Sequence, residues 1–224
     1  MNLSTSEENY IKSIYHLQLA ADTSAGSVVN TNALAKQLNT KAASVTDMLK
    51  KLKTKKLIQY ERYYGFKLND KGTQTALSII RRHRLWEYFL VSKLGFDWDK
   101  VHIIAEELEH VSSMELIKKL DTYLGNPKID PHGDPIPDVN GRLPVIKQIN
   151  LFMLPFKKTG IVSSVGDQSP QMLEMLKHYG IGIGSQIKIT KAFDFDRSLE
   201  IKLAKQPACI ISEQVAKNIF VYHD

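Results

Sequence analysis

The sequence predicts a mainly α chain with small β parts: an N-terminal winged helix-turn-helix, a helical middle and a small C-terminal β-barrel. Three observations predict this. Two short helical patterns and a hairpin pattern follow one another within residues 31–68. A long amphipathic stretch then runs from Thr73 to Lys93, and beyond about Ile149 the pattern changes to short β segments. The expected divisions are 1–72 for the winged helix, 73–143 for the helical part, 144–150 for a linker and 151–224 for the β module.

Glu7 to Ala21 reads as a first helix, with Tyr10, Ile11, Ile14, Tyr15 and Leu17 on one side and Ser6 as its N-cap. Asp22 to Val29 is small and polar, hence loop. A short helix over Asn32–Leu38 turns inward Leu34, Ala35 and Leu38. Asn39 and Thr40 break it before a second helix, Ala42–Lys53, with Val45, Leu49 and Leu52 inward. Two short helices joined by so tight a turn make a helix-turn-helix. Leu57–Tyr60 and Phe66–Leu68 are strand-like around a turn at Tyr63, Tyr64 and Gly65, which makes a wing. Asp99–Leu124 holds one or two further helices, and residues 125–144 are Pro-, Gly- and Asp-rich, the composition of loop or linker. In the module, strands fall at 160–162, 186–189, 199–203 and 219–222, with a helix over Met172–Tyr179.

The net charge of +6 is concentrated. Between Thr31 and Tyr60 lie seven lysines and one acid, Asp47, whereas Asp97–Asp138 carries ten acids and four lysines. The first block suits a polyanion and the second suits cations. No apolar run of about 18 residues exists, so no membrane partner is expected. The N-terminus lacks the basic start and apolar stretch of a signal peptide. A single cysteine, Cys209, fits a reducing compartment, and together these features place the chain in the cytoplasm.

The second helix of the pair opens with Lys41, Ala43, Ser44, Thr46 and Asp47. Small and hydroxyl-bearing residues there let a backbone approach the major groove, and Ser and Thr can donate to phosphates or base edges. Lys50 and Lys51 are placed to neutralise phosphates, and Arg62 and Lys67 on the wing to add flanking contacts. Double-stranded DNA is therefore the expected partner.

His83 and Glu87 are i and i+4 on one helix. His102, Glu106, Glu109 and His110 fall on a helical stripe roughly 100° wide, with Ile104, Leu108 and Val111 directed to the core. Imidazole and carboxylate without thiolate suit Mn(II), Fe(II), Zn(II), Co(II) or Ni(II). A solvated polar helix face is the competing reading of the same residues.

The segments EENYIKSIYHL, LAKQLNTKAASVTDMLKKL, RRHRLWEYFL, KVHIIAEELEHV and HGDPIP together resemble the diphtheria toxin repressor family of iron- and manganese-dependent regulators over essentially the whole length. The resemblance implies one metal site from His83, Glu87 and His102, completed from the C-terminal module by Asp167 or Gln168. It implies a second, DNA-controlling site from Glu106, Glu109 and His110 plus Asn9 of the first helix, with Glu8 the nearest alternative. Asn9 stands where iron regulators lean to Met and manganese regulators to Asp. Glu106 stands where iron regulators tend to have Cys, and Lys12 where some manganese members are acidic. The resemblance also implies a homodimer built on the Thr73–Leu124 helices, an SH3-like (FeoA-like) module, and repression of metal-uptake genes by the Mn(II)- or Fe(II)-loaded protein. Two other readings compete: a winged-helix regulator with a non-metal effector, and a two-metal hydrolase. No substrate-positioning loop or spare base supports the hydrolase.

Overall fold

The computed structural model describes residues 3–21, 28–61, 65–204 and 206–223. The chain divides into two compact units. One comprises residues 1–83, 107–117 and 137–142, and the other residues 84–106, 118–136 and 143–224.

In the first unit, α1 (Thr5–Ala21) begins at a capping box. Ser4 Oγ accepts from the Glu7 amide, and Glu7 Oε2 accepts from the Ser4 amide at 2.8 Å. The cap is therefore Ser4, two residues before the expected Ser6, since Ser4 has Glu7 three residues on whereas Ser6 has Asn9. Asn30 caps α2 (Thr31–Gln37) through a bond from Ala33 N. Asn39, with φ 47°, turns the chain into α3 (Ala42–Thr54). Val45, Leu49 and Leu52 share one face of α3 and are buried with Ile11, Ile14 and Leu34. Each such aliphatic side chain contributes about 1.5–3 kcal/mol by leaving water.

The wing pairs β1 (Ile58–Glu61) with β2 (Gly65–Leu68) in antiparallel register. Val29 adds a bridge to Phe66 with bonds of 2.8 and 3.0 Å. The expected tip residues Arg62, Tyr63 and Tyr64, and most of the 22–29 loop, lie outside the described residues. Next comes α4 (Asp70–Leu94), the helix that the two units divide between His83 and Arg84, followed by α5 (Val101–Leu108) and α6 (Met114–Tyr123).

In the second unit, β3 (Ile149–Asn150), β4 (Thr159–Val165), β5 (Gln186–Ala192), β6 (Leu199–Leu203), β7 (Cys209–Ile211) and β8 (Ile219–Tyr222) form one antiparallel sheet in the order β3-β8-β4-β5-β6-β7. Bulges at Val162/Ser164 and Ile189/Lys191 bend it around a core that includes Leu151, Leu176, Ile187 and Ile201. A helix, α7 (Pro170–His178), packs Leu173 and Leu176 into that core.

The 125–136 stretch is not a solvated linker. Asp130 and His132 are buried, and Val165 of β4 donates its amide to the His132 carbonyl at 3.1 Å. Asp130 Oδ1 accepts the amides of His132 and Asp134 at 2.8 and 2.9 Å, so the loop is shaped by its own carboxylate.

Candidate metal centre and nucleic-acid interface

Burying Val45, Leu49 and Leu52 turns the opposite face of α3 outward. Lys41, Ala43, Ser44, Thr46, Asp47, Lys50 and Lys51 are all exposed, and Lys67 on β2 is half-buried. Thr46 Oγ1 donates to the Ala42 carbonyl at 3.0 Å, and Lys50 pairs with Asp47 at 3.1 Å. Both partners of that pair are largely exposed, so the pair contributes little and exchanges readily for a phosphate.

The expected helical stripe is interrupted. The helix that carries it, α5 (Val101–Leu108), ends before Glu109 and His110, which occupy the following turn. Extrapolating about 100° per residue past Leu108 misplaces them. Val111, expected inward, is exposed. Glu109 is instead fully buried, whereas the Glu106 side chain is 54% exposed and lies 3.6 Å from His102 Nε2.

Within the first unit, Glu109 Oε2 is 2.7 Å from Lys12 Nζ and 2.6 Å from His83 Nδ1. Burial pushes the Glu109 carboxyl up, but the His83 hydrogen bond and the Lys12 charge outweigh it and hold the group below the usual carboxylate value. His110 Nδ1 lies 2.6 Å from Glu8 Oε2, and Glu8 Oε1 lies 2.7 Å from Arg82 Nη2. The α1 residue meeting His110 is therefore Glu8, and Asn9 is exposed.

Within the second unit, Glu87, Asp130 and His132 are all buried, with one ligand atom of each within 4.8 Å of the others. His132 Nε2 lies 2.8 Å from the Trp98 carbonyl, which can only accept, so Nε2 carries a proton. Nδ1 lies 3.6 Å from Glu87 Oε2, an electrostatic contact rather than a hydrogen bond. His102 Nδ1 is 3.3 Å from Glu87 Oε1. Asp167 is exposed and accepts from Ser169 N, while Gln168 donates to Asp134 Oδ2 at 3.0 Å. Asp130 and His132 escaped the sequence reading because they sit in a loop that composition marks as linker. The signal was the DPHGD run of residues 130–134, one histidine between two acids.

The donors suit a divalent cation. Buried polar atoms normally have partners, yet Glu109 Oε1, Asp130 Oδ2 and His132 Nδ1 have no hydrogen-bond partner among the described residues. His110 and His132 each have one ring nitrogen held by an oxygen, the arrangement that orients ligating imidazoles.

These groups give the metal-free chain a pH dependence. Burial presses the His132 pKa down, but the neighbouring Glu87 carboxylate outweighs it and raises the group to about 9. Burial, with the charges of Glu87 and Asp134, raises Asp130 to about 7. In both cases the fold binds the proton more tightly than the unfolded chain does. Their stabilisation is thus fully present below the unfolded values and lost as pH rises through about 7 and about 9. Without metal, melting temperature is expected to fall by several degrees between about pH 6.5 and 9. Saturating Mn(II), by replacing the protons, should flatten that slope. A melting profile that is flat without metal would contradict the assignment.

A winged helix-turn-helix sharing a chain with buried carboxylate–imidazole clusters is the make-up of a metal-responsive DNA-binding regulator. Comparison with known proteins makes this particular. Residues 2–66 match the iron dependent repressor N-terminal DNA binding domain, and residues 69–138 its metal binding and dimerisation domain. Residues 149–223 match the FeoA domain. An HTH-type transcriptional regulator of Methanocaldococcus jannaschii is 35% identical over 54% of this chain and 94% of its own length. The iron-dependent repressor IdeR of Mycobacterium tuberculosis is 30% identical over 58% of this chain, which spans only 54% of IdeR. A manganese-dependent transcriptional repressor in complex with manganese superposes with a TM-score of 0.83 at 32% identity, covering 97% of this chain and 99% of its own. The chain belongs to the iron-dependent repressor family, whose members are transcriptional repressors and not enzymes. Among the described residues no helix is long and apolar enough to cross a membrane.

Proposed function

We propose that this chain is a cytoplasmic, homodimeric repressor of metal-uptake genes that binds double-stranded operator DNA when loaded with Mn(II) or Fe(II). The observation that carries the proposal is the bonding of α1 to the turn after α5. Lys12 of α1 meets Glu109 and Glu8 of α1 meets His110, while Glu109 keeps one buried oxygen without a hydrogen-bond partner among the described residues. A divalent ion bound at Glu109 and His110 stabilises the position of α1 in the DNA-binding module, and through the shared core with α3 it selects one placement of the exposed recognition face. Only a difference in metal affinity between that placement and others shifts the population. Glu87, Asp130 and His132 form a second candidate site that stabilises the other unit. Hard oxygen donors, with Glu106 rather than a thiolate in the neighbouring sequence, favour manganese.

Dimerisation draws support from Leu94, Ile103, Met114 and Tyr123, large apolar side chains of the helical part that are more than half exposed. The test is fluorescence anisotropy with operator DNA, on protein stripped of metal and then titrated separately with Mn(II), Fe(II) and Zn(II). Binding is expected to tighten by at least about tenfold, the usual scale of allosteric coupling. Equal affinity in excess chelator would overturn the proposal.

A further inference from the structure

On the reading that a divalent ion sits at Glu109 and His110, we infer that Glu8 is a positioning residue: anchored by Arg82, it holds His110 in the tautomer that presents Nε2 to the metal, and is not a ligand. A carboxylate only accepts hydrogen bonds, so the 2.6 Å contact of Glu8 Oε2 with His110 Nδ1 places the proton on Nδ1. The lone pair of the neutral ring is then on Nε2. That atom lies 4.0 Å from Glu109 Oε1, the buried oxygen with no hydrogen-bond partner among the described residues. Two ligand atoms on one metal, with bonds near 2.1 Å, are separated by at most about 4.2 Å, so both reach a common ion with little movement.

The geometry also keeps Glu8 off the metal. Its second oxygen is 2.7 Å from Arg82 Nη2, and both residues are buried. Drawing Glu8 away would strand a buried guanidinium, which is strongly unfavourable. Arg82 Nε donates to the Glu109 backbone carbonyl at 2.5 Å, so one guanidinium fixes both the orienter of His110 and the main chain of Glu109. Lys12 and His83 occupy Glu109 Oε2 and leave Oε1 for the ion. A cleft of about 720 Å³ whose walls include Glu8, Arg82 and His110 gives that ion a way in.

Glu8→Gln separates this role from a ligand's or a merely structural one. Arg82 has only donors, so the oxygen of the introduced amide stays on Arg82 and its NH2 turns to His110 Nδ1. Nδ1 must then accept, and the proton moves to Nε2, the nitrogen the metal needs. The experiment is 15N NMR of the imidazole nitrogens in the full-length metal-free chain, at about pH 8, above the usual histidine pKa. It is followed by Zn(II) and Mn(II) titration. The wild type is expected to show His110 protonated at Nδ1, with Zn(II) shifting Nε2. Glu8→Gln should invert the tautomer and weaken metal binding by about 10–100-fold, the usual cost of losing an orienting partner. An unaltered tautomer or unaltered affinity in Glu8→Gln overturns the inference, and so does complete loss of binding at His110. If Zn(II) leaves His110 unmoved in the wild type, the metal site itself is wrong.

Discussion

Replacing Glu109 with alanine is expected to destabilise the metal-free chain by about 3–5 kcal/mol and to abolish the metal response of DNA binding. The carboxylate is fully buried, and a single oxygen serves both Lys12 and His83. Removing it takes away the carboxylate that a largely buried ammonium and a buried imidazole share, so the desolvation already incurred is less fully offset. Denaturant unfolding of the metal-free protein measures the first effect, and operator binding with Mn(II) the second. Glu106→Ala is the contrasting variant. Its side chain is more than half exposed, so stability should move by less than about 0.5 kcal/mol. Equal destabilisation by both substitutions would mean that the buried pairs of Glu109 carry no weight.

Gly133→Ala is expected to be nearly as damaging, at roughly 2–4 kcal/mol. Gly133 has φ +87°, and a Cβ there would lie 1.8 Å from the Ser163 carbonyl oxygen and 2.5 Å from Ser164 Cα. Both are backbone atoms of β4, which cannot swing aside as a long side chain does. Relief requires the loop to lift from the sheet, which breaks the bond from Val165 N to the His132 carbonyl. His132 and Asp130 then leave Glu87. The variant should therefore also lose metal stabilisation of the second unit, read as the Mn(II)-induced rise in melting temperature. A wild-type Mn(II) shift in Gly133→Ala would show that the loop does not hold the cluster together.

What the sequence discloses follows the physics of each segment. Regular amphipathic periods are legible, so Val45, Leu49 and Leu52 define α3 and, by exclusion, its outward face. The long helix from residue 70 and the four longer strands are legible for the same reason. Periodicity carries nothing past a helix end. The chain after Leu108 directs Glu109 into the core while leaving Val111 exposed, against the helical extrapolation. Very short elements such as β3, β7 and α8 (Glu213–Lys217) hold too few residues to show a period. Burial of the 130–134 loop depends on contacts with β4 some thirty residues away, which local composition cannot express. On α1 the two residues Glu8 and Asn9 are adjacent. Glu8 shares the buried face of Ile11, three residues on, whereas Asn9 is turned outward, and that Glu8 meets His110 depends on tertiary packing across about a hundred residues.

Under the proposed mechanism, metal and DNA binding are coupled through one conformational equilibrium. Thermodynamic linkage then requires each to strengthen the other by the same factor. The direct measurement is the Mn(II) dissociation constant of the full-length protein, by calorimetry, alone and on saturating operator DNA. Operator is expected to tighten Mn(II) binding by the factor by which Mn(II) tightens operator binding, at least about tenfold. An Mn(II) affinity that is identical with and without operator would contradict the coupling.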